Sequence, residues 1–214
     1  MRTVITIQHT QSEQHINKMI GLSGSWNLTE LGKKQAHSIG ANLADEFKNQ
    51  QPVIYSSDLP RAKQTAEIVS GYFDVMPIFT AALREFDLGE ANGKSKEWAR
   101  NNQQCPVWEG TIDWAKSVYD KPFGGAESKA DVWNRLSEFL NNVLGETDED
   151  IIIVSHDGTL SILYALWLGM DIEMLNKCNL SGRTGGVSVL QEDSDGNRII
   201  ARLNDMEYMK GVLK

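Results

Sequence analysis

Cysteine is scarce in this chain, with only Cys105 and Cys178 among 214 residues. They stand far apart and in no Cys-x-x-Cys or Cys/His spacing, which excludes a disulfide scaffold and a structural zinc cluster. Two reduced thiols fit a cytoplasmic protein. An excess of positive charge is lacking too: 21 Lys and Arg against 29 Asp and Glu give a formal net charge of -8. A general nucleic-acid binder carries a basic footprint, so nucleic acid is not an expected partner. A small anionic substrate remains open, because a few local cations can dominate a pocket. No segment approaches the ~20 consecutive apolar residues that span a bilayer. The first residues read as a strand and not as a secretory leader. The expectation is a cytoplasmic protein with no membrane association.

Histidine is also rare, and the placement of the four histidines carries information. His9 follows the β-branched run Thr3-Val-Ile-Thr-Ile7 with one residue between, and His156 follows Ile151-Ile-Ile-Val154 in the same way. Ligands of open α/β sheets bind outside the carboxyl ends of the strands, so both imidazoles are expected to face one crevice. A third strand-to-loop-to-helix step, Val53-Ile-Tyr-Ser-Ser-Asp-Leu-Pro-Arg61, delivers an arginine to the same side. Two histidines and an arginine at strand ends point to phosphate chemistry.

The rest of the chain alternates in the same manner, which gives an α/β fold in one domain over residues 1–214. Leu31, Ala36, Ile39, Leu43 and Phe47 recur at helical spacing behind Thr29, a good N-cap. A second helix is expected over 60–72, with Pro60 in its first turn, and a third over 127–144. A strand is expected over 75–80, and a helix over 159–168 after the wholly apolar strand at 151–154. Runs at 186–191 and 198–203 flank Asp193-Ser-Asp-Gly-Asn197 and read as an edge hairpin. Residues 90–126, with Trp98, Trp108 and Trp114, form a long excursion expected to cover the site. Two motifs mislead: Gly89-Glu-Ala-Asn-Gly93-Lys94-Ser95 is one residue short of a P-loop, and 193–197 lacks the glycine position and closing glutamate of a calcium loop.

In order along the chain, Ile7-Gln8-His9-Thr10-Gln11, Leu28-Thr-Glu-Leu-Gly-Lys-Lys-Gln-Ala36, Ser56-Ser-Asp-Leu-Pro-Arg61-Ala-Lys-Gln-Thr-Ala66, Leu83-Arg-Glu85, Gly124-Gly-Ala-Glu-Ser128 and Val154-Ser-His156-Asp157-Gly158 form a set of islands. Together they resemble the histidine phosphatase superfamily, the phosphoglycerate mutase-like group. That resemblance implies a three-layer αβα sandwich with a mostly parallel central sheet. It implies that His9 attacks phosphorus and becomes a phosphohistidine, that Arg61 and His156 bind phosphoryl oxygens, and that Glu85 passes the proton to and from the leaving and attacking oxygens. Asp87 is a weaker candidate for that proton. Gln8, Thr10, His15 and Asp157 complete the expected phosphate-binding set, without cofactor or metal.

The first island departs from the family pattern. Gln8 stands where the family has arginine, Thr10 and Gln11 replace its glycine and glutamate, and His15 takes a place where many relatives have asparagine. The Gly-Gly-Glu-Ser run carries an inserted alanine. A glutamine amide donates a hydrogen bond but no charge, and losing one preorganised donor costs ~10²–10³ in rate. A protonated His15 is expected to replace part of that charge and to move the activity optimum below neutrality.

The leading reading is a phosphomonoester hydrolase acting on a small phosphorylated metabolite, slowed by Gln8. The alternative is a degenerate member that binds a phosphorylated ligand or a protein partner. A phosphoglycerate-type mutase comes last, because the excursion mixes acids and tryptophans with Lys94, Lys96, Arg100, Lys116 and Lys121. The tryptophans are expected to wall a pocket for an apolar part of the substrate. The oligomeric state stays open, a dimer being one option.

Overall fold

The computed structural model describes residues 2–17, 19–20, 26–48, 50–147 and 149–212. One six-stranded sheet runs in the order β3-β2-β4-β1-β5-β6. Its strands are β1 (Arg2–Gln8), β2 (Val53–Ser57), β3 (Ile78–Thr80), β4 (Ile151–Ser155), β5 (Val187–Glu192) and β6 (Arg198–Asp205). β1 to β4 are parallel, while β5 pairs antiparallel with β1 and with β6, closing the edge with the expected hairpin.

The sheet is buried on both faces because β4 is apolar at every turn of its pleat. Ile151 and Ile153 pack into one core, and Ile152 and Val154 into the other. α2 (Glu30–Glu46) and α3 (Pro60–Ser70) cover the second core through Ile39, Leu43, Ala62, Ala66 and Val69. α5 (Lys129–Glu146) and α6 (Asp157–Trp167) cover the first through Val132, Leu136, Leu140, Ile162 and Leu163. This is the three-layer sandwich the resemblance implied. Among the described residues no helix is long and apolar enough to cross a membrane.

Several boundaries move for local reasons. Thr29 caps α2 as expected, its hydroxyl accepting from Gly32 N at 3.0 Å; such a cap is worth about 1 kcal/mol. α5 starts later than the apolar pattern indicates because Ser128 and Asp131 form a capping box. α6 starts earlier, at Asp157, with His156 as its N-cap residue. β3 is only three residues long, since Asp74 takes φ 54° and the chain completes a turn there before Ile78 joins β2. α1 (Glu13–Asn17) and α4 (Lys96–Asn101) are short elements that the periodicity does not reveal.

Candidate active site

The site forms where β1, β2 and β4 end side by side. Gln8 at the end of β1 lies in register with Ser155 of β4, and Ser56 of β2 with Val154. The next residues out of β1 and β4 are His9 and His156, and α3 brings in Arg61 at its second position. The His9 ring centroid lies 5.1 Å from that of His156 and 5.6 Å from that of His15. A cleft of about 370 Å³ opens above them, lined by Gln8, His9, His15, Arg61, Glu85 and Asp157 from the expected set.

His9 has a defined tautomer. Its Nδ1 lies 2.9 Å from the carbonyl of Thr10, which can only accept, so Nδ1 carries the proton. Nε2 is therefore the free lone pair, and it accepts from Arg61 Nε at 3.1 Å. Burial and the Arg61 charge hold the His9 pKa well below its ordinary value, so the ring is neutral. Arg61 is itself buried, and desolvation lowers its pKa to about 10, which leaves it cationic at neutral pH. Its Nη1 has no hydrogen-bond partner among the described residues. A buried guanidinium with an unused donor beside an imidazole lone pair is a ready anion site.

His156 is buried beside His9, 1% exposed, with Nε2 2.9 Å from Ser57 Oγ and Nδ1 unpartnered among the described residues. Burial, then Arg61 and His9, depress its pKa strongly. Glu85 reaches the site from the loop after β3. Its carboxylate accepts from the N–H groups of Gly158 and Thr159 at 3.1 and 3.0 Å and so sits on the amino end of α6. Burial and the nearby Asp157 charge raise the Glu85 pKa, while the Gly158 hydrogen bond and Arg61 oppose them.

Two expected phosphate ligands take other parts. Thr10 donates its hydroxyl to Gly32 O at 2.8 Å and points down between α2 and α3, so it orients His9 through its carbonyl and does not line the cleft. That packing needs Gly32, since a Cβ there would fall 1.9 Å from Gln11 O. Asp157 lines the cleft, but its carboxylate accepts from Ser181 Oγ and Gly182 N and, as an anion, repels phosphate. Asp87 lies away from the cleft, accepting from Gly89 N and Asn92 Nδ2.

Gln8 is 8% exposed at the cleft floor, with its Oε1 unpartnered among the described residues. His15 accepts from Ser12 N at Nδ1 and meets Thr184 Oγ1 at Nε2, 3.0 Å away. Burial lowers its pKa, as does Arg61, against a raising contact to Ser12, so the ring is neutral at pH 7 before a ligand arrives. The compensating cation expected there forms only below the lowered pKa or beside an anion that raises it.

The excursion supplies residues that sequence reasoning passed over. Lys96, Ile112 and Asp113 line the cleft, together with Met19, Ile20 and Leu88 from nearby loops. Asp113 also borders an adjoining hollow of about 210 Å³, and its carboxyl pKa is raised by burial and by Asp157. The tryptophans do not wall the cleft. Trp98 packs on Phe123, and Trp108 and Trp114 pack on each other beside the buried Lys129. They anchor the excursion, and only Trp114 borders the hollow. Ser57 was also overlooked, although it lies in the Arg61 motif. Among the described residues, no group of three His, Cys, Asp or Glu side chains is arranged to hold a metal ion.

Comparison with known proteins agrees with this fold. The sequence profile of the histidine phosphatase superfamily (branch 1) matches residues 4–205. Phosphoserine phosphatase 1 of Hydrogenobacter thermophilus is 30% identical over 174 residues, covering 80% of this chain and 79% of its own length. The 2,3-bisphosphoglycerate-dependent phosphoglycerate mutase of Rhizobium johnstonii is 30% identical over 203 residues, 90% of this chain and 92% of its own. A mycobacterial glucosyl-3-phosphoglycerate phosphatase shares the fold with a TM-score of 0.77 at 22% identity, over 95% of this chain and 99% of that one. Bacillus stearothermophilus YhfR does so with a TM-score of 0.79 at 24% identity, over 98% and 100%.

Proposed function

The chain belongs to the histidine phosphatase superfamily, and from that membership we propose that it hydrolyses phosphomonoesters of a small metabolite through a phosphohistidine at His9. The observation that carries this reading is the His9 ring itself. Nδ1–H is tied to the Thr10 carbonyl, and Nε2 meets the guanidinium of a buried arginine.

In the resting site Arg61 Nε occupies the His9 lone pair. An incoming phosphoryl group takes over the Arg61 donors, including the unused Nη1, and frees Nε2 to attack. The Nε2–P bond forms as the bond from phosphorus to the leaving oxygen breaks. Glu85, whose pKa burial and Asp157 raise, gives its proton to that oxygen. The Thr10 carbonyl stabilises the positive ring that results. In the second half, water attacks phosphorus, its proton passes to Glu85, and the Nε2–P bond breaks to return neutral His9. His156 Nδ1, Gln8 and His15 supply further donors to the phosphoryl oxygens, and no step calls on a metal ion.

The cleft favours hydrolysis over mutase chemistry. Asp113 and Asp157 line the cleft together with Glu85, and a substrate carrying a second phosphate would meet unfavourable like charge there. Met19, Ile20, Leu88 and Ile112 suit a leaving group with an apolar portion. A binding protein without turnover is the second reading, supported by Gln8, which leaves Arg61 without the second arginine of the family pattern.

The test is hydrolysis of an aryl phosphate from pH 4.5 to 8 in the presence of a chelator, with wild type, His9→Ala and Gln8→Arg side by side. The proposal expects turnover by the wild type, its loss in His9→Ala and a gain in Gln8→Arg. Wild type equal to His9→Ala, with activity only in Gln8→Arg, would establish the binding reading instead.

A further inference from the structure

We propose that Ser57 is a positioning residue that holds neutral His156 in the Nδ1–H tautomer, so that the ring presents a donor to the phosphoryl group without needing to be charged. Ser57 ends β2 and is fully buried. Its Oγ accepts from Leu59 N at 3.2 Å, because a backbone N–H can only donate. The other contact is to His156 Nε2 at 2.9 Å.

Two arrangements of protons are open to that contact, and they are not equivalent. If Nε2–H donated to Ser57 Oγ, the Ser57 hydroxyl proton would have no acceptor among the described residues. The Nδ1 lone pair would then be buried without a donor as well. If the Ser57 hydroxyl donates to Nε2, the serine is satisfied on both sides and only Nδ1–H is left over. A buried polar group left unpaired costs about 1–3 kcal/mol, so the arrangement with one such group prevails over the arrangement with two. The remaining donor belongs to a ring 5.1 Å from that of His9, where the phosphoryl oxygens gather in the proposed reaction. An incoming anion then completes the last hydrogen bond of His156.

The device matters more here because position 8 is a glutamine. With one fewer fixed cation, a neutral ring must already point its proton correctly before the anion binds. Burial beside Arg61 works against a charged His156, so tautomer and not charge prepares the site.

The catalytic part of this inference rests on the phosphatase reading, whereas the tautomer does not. The experiment is a long-range ¹H–¹⁵N spectrum of the imidazoles, with the His156 pattern identified by its loss in His156→Gln. It is paired with calorimetric titration of inorganic phosphate. Wild type is expected to show a protonated Nδ1 and a bare Nε2 at His156. Ser57→Ala is expected to show mixed tautomers and roughly five- to tenfold weaker phosphate binding, the effect of one neutral hydrogen bond. Ser57→Thr, which keeps the hydroxyl, is expected to restore both. A protonated Nε2 in the wild type overturns the inference without any variant. So does a Ser57→Ala protein with unchanged tautomer or unchanged phosphate affinity. In a wild type that binds no phosphate the tautomer alone decides: Nδ1–H that becomes mixed in Ser57→Ala would keep the hold of Ser57 and count against the phosphatase reading.

Discussion

Arg61 donates from Nε to Nε2 of His9 across 3.1 Å, so the proposed nucleophile is capped by the group proposed to bind its substrate. The pairing satisfies the buried His9 lone pair and Arg61 Nε, and leaves Nη1 as the unused donor among the described residues. A ligand must therefore compete for the arginine before the histidine can react. Arg61→Lys retains a charge but loses the fork that can serve His9 and an anion in turn. Its kcat/KM for an aryl phosphate is expected to fall by about 10²-fold, the cost of a preorganised donor. Steady-state kinetics of the folded variant check this, and near wild-type turnover would contradict it.

Gln8→Arg is expected to raise kcat/KM by roughly 10²-fold through restored charge at the cleft floor. Gln8 Oε1 has no partner among the described residues, so the exchange removes an unpaired acceptor and breaks no hydrogen bond at that atom. A variant that folds but gains no activity would show that Gln8 is not what limits the reaction.

Glu85→Gln removes the proposed proton carrier while keeping an acceptor for Gly158 and Thr159. Loss of a positioned acid typically costs about 10²–10⁴ in rate, most with a poor leaving group. The expected outcome is a much larger loss on an alkyl phosphate than on an aryl phosphate. Equal losses on both would place the proton elsewhere.

The histidines link stability to pH. Folding lowers the pKa of His9, His15 and His156 from 6.5, so the unfolded chain binds more protons than the native one just below that value. Their contribution to stability is fully present above pH 6.5 and is lost as the pH falls toward the folded values. Melting temperature is expected to drop between pH 7 and 5 and to rise again on addition of phosphate, which favours the charged rings. The same binding is expected to raise the His15 pKa, so His15→Asn should move the activity optimum toward neutrality. An unchanged pH–rate profile would rule out a charge role for His15.

The site was legible where chemistry and strand ends coincide. His9, Arg61 and His156 each follow an apolar strand closely, and the sheet order brings those strands together. Glu85 was legible only through the family resemblance, since nothing in its local sequence marks a residue that will cap α6. Asp113 and Lys96 lie in an excursion whose path is set by tryptophan packing on Lys129 and Phe123, contacts that no periodicity announces. Those same tryptophans misled as pocket walls because large aromatics are more often core. Thr10 and Asp157 sit beside residues of the motif, yet their side chains turn to Gly32 and Ser181, which only tertiary structure decides.

Gly32→Ala tests the support beneath His9. Its Cβ would meet the Gln11 carbonyl oxygen at 1.9 Å, and backbone cannot swing aside as a side chain can. Overpacking of this kind costs about 1–3 kcal/mol and would push the Thr10 carbonyl away from His9. Lower thermal stability together with lower kcat is expected. A stable, fully active variant would show that the His9 loop tolerates displacement.

The most direct measurement is acid-free quenching of the enzyme during turnover of a ³²P-labelled phosphomonoester, followed by peptide mapping of the label. The account predicts an acid-labile, alkali-stable phosphoramidate on the peptide containing His9, absent from His9→Ala. Hydrolysis with no label on that peptide, or with label persisting in His9→Ala, would contradict a phosphohistidine at His9.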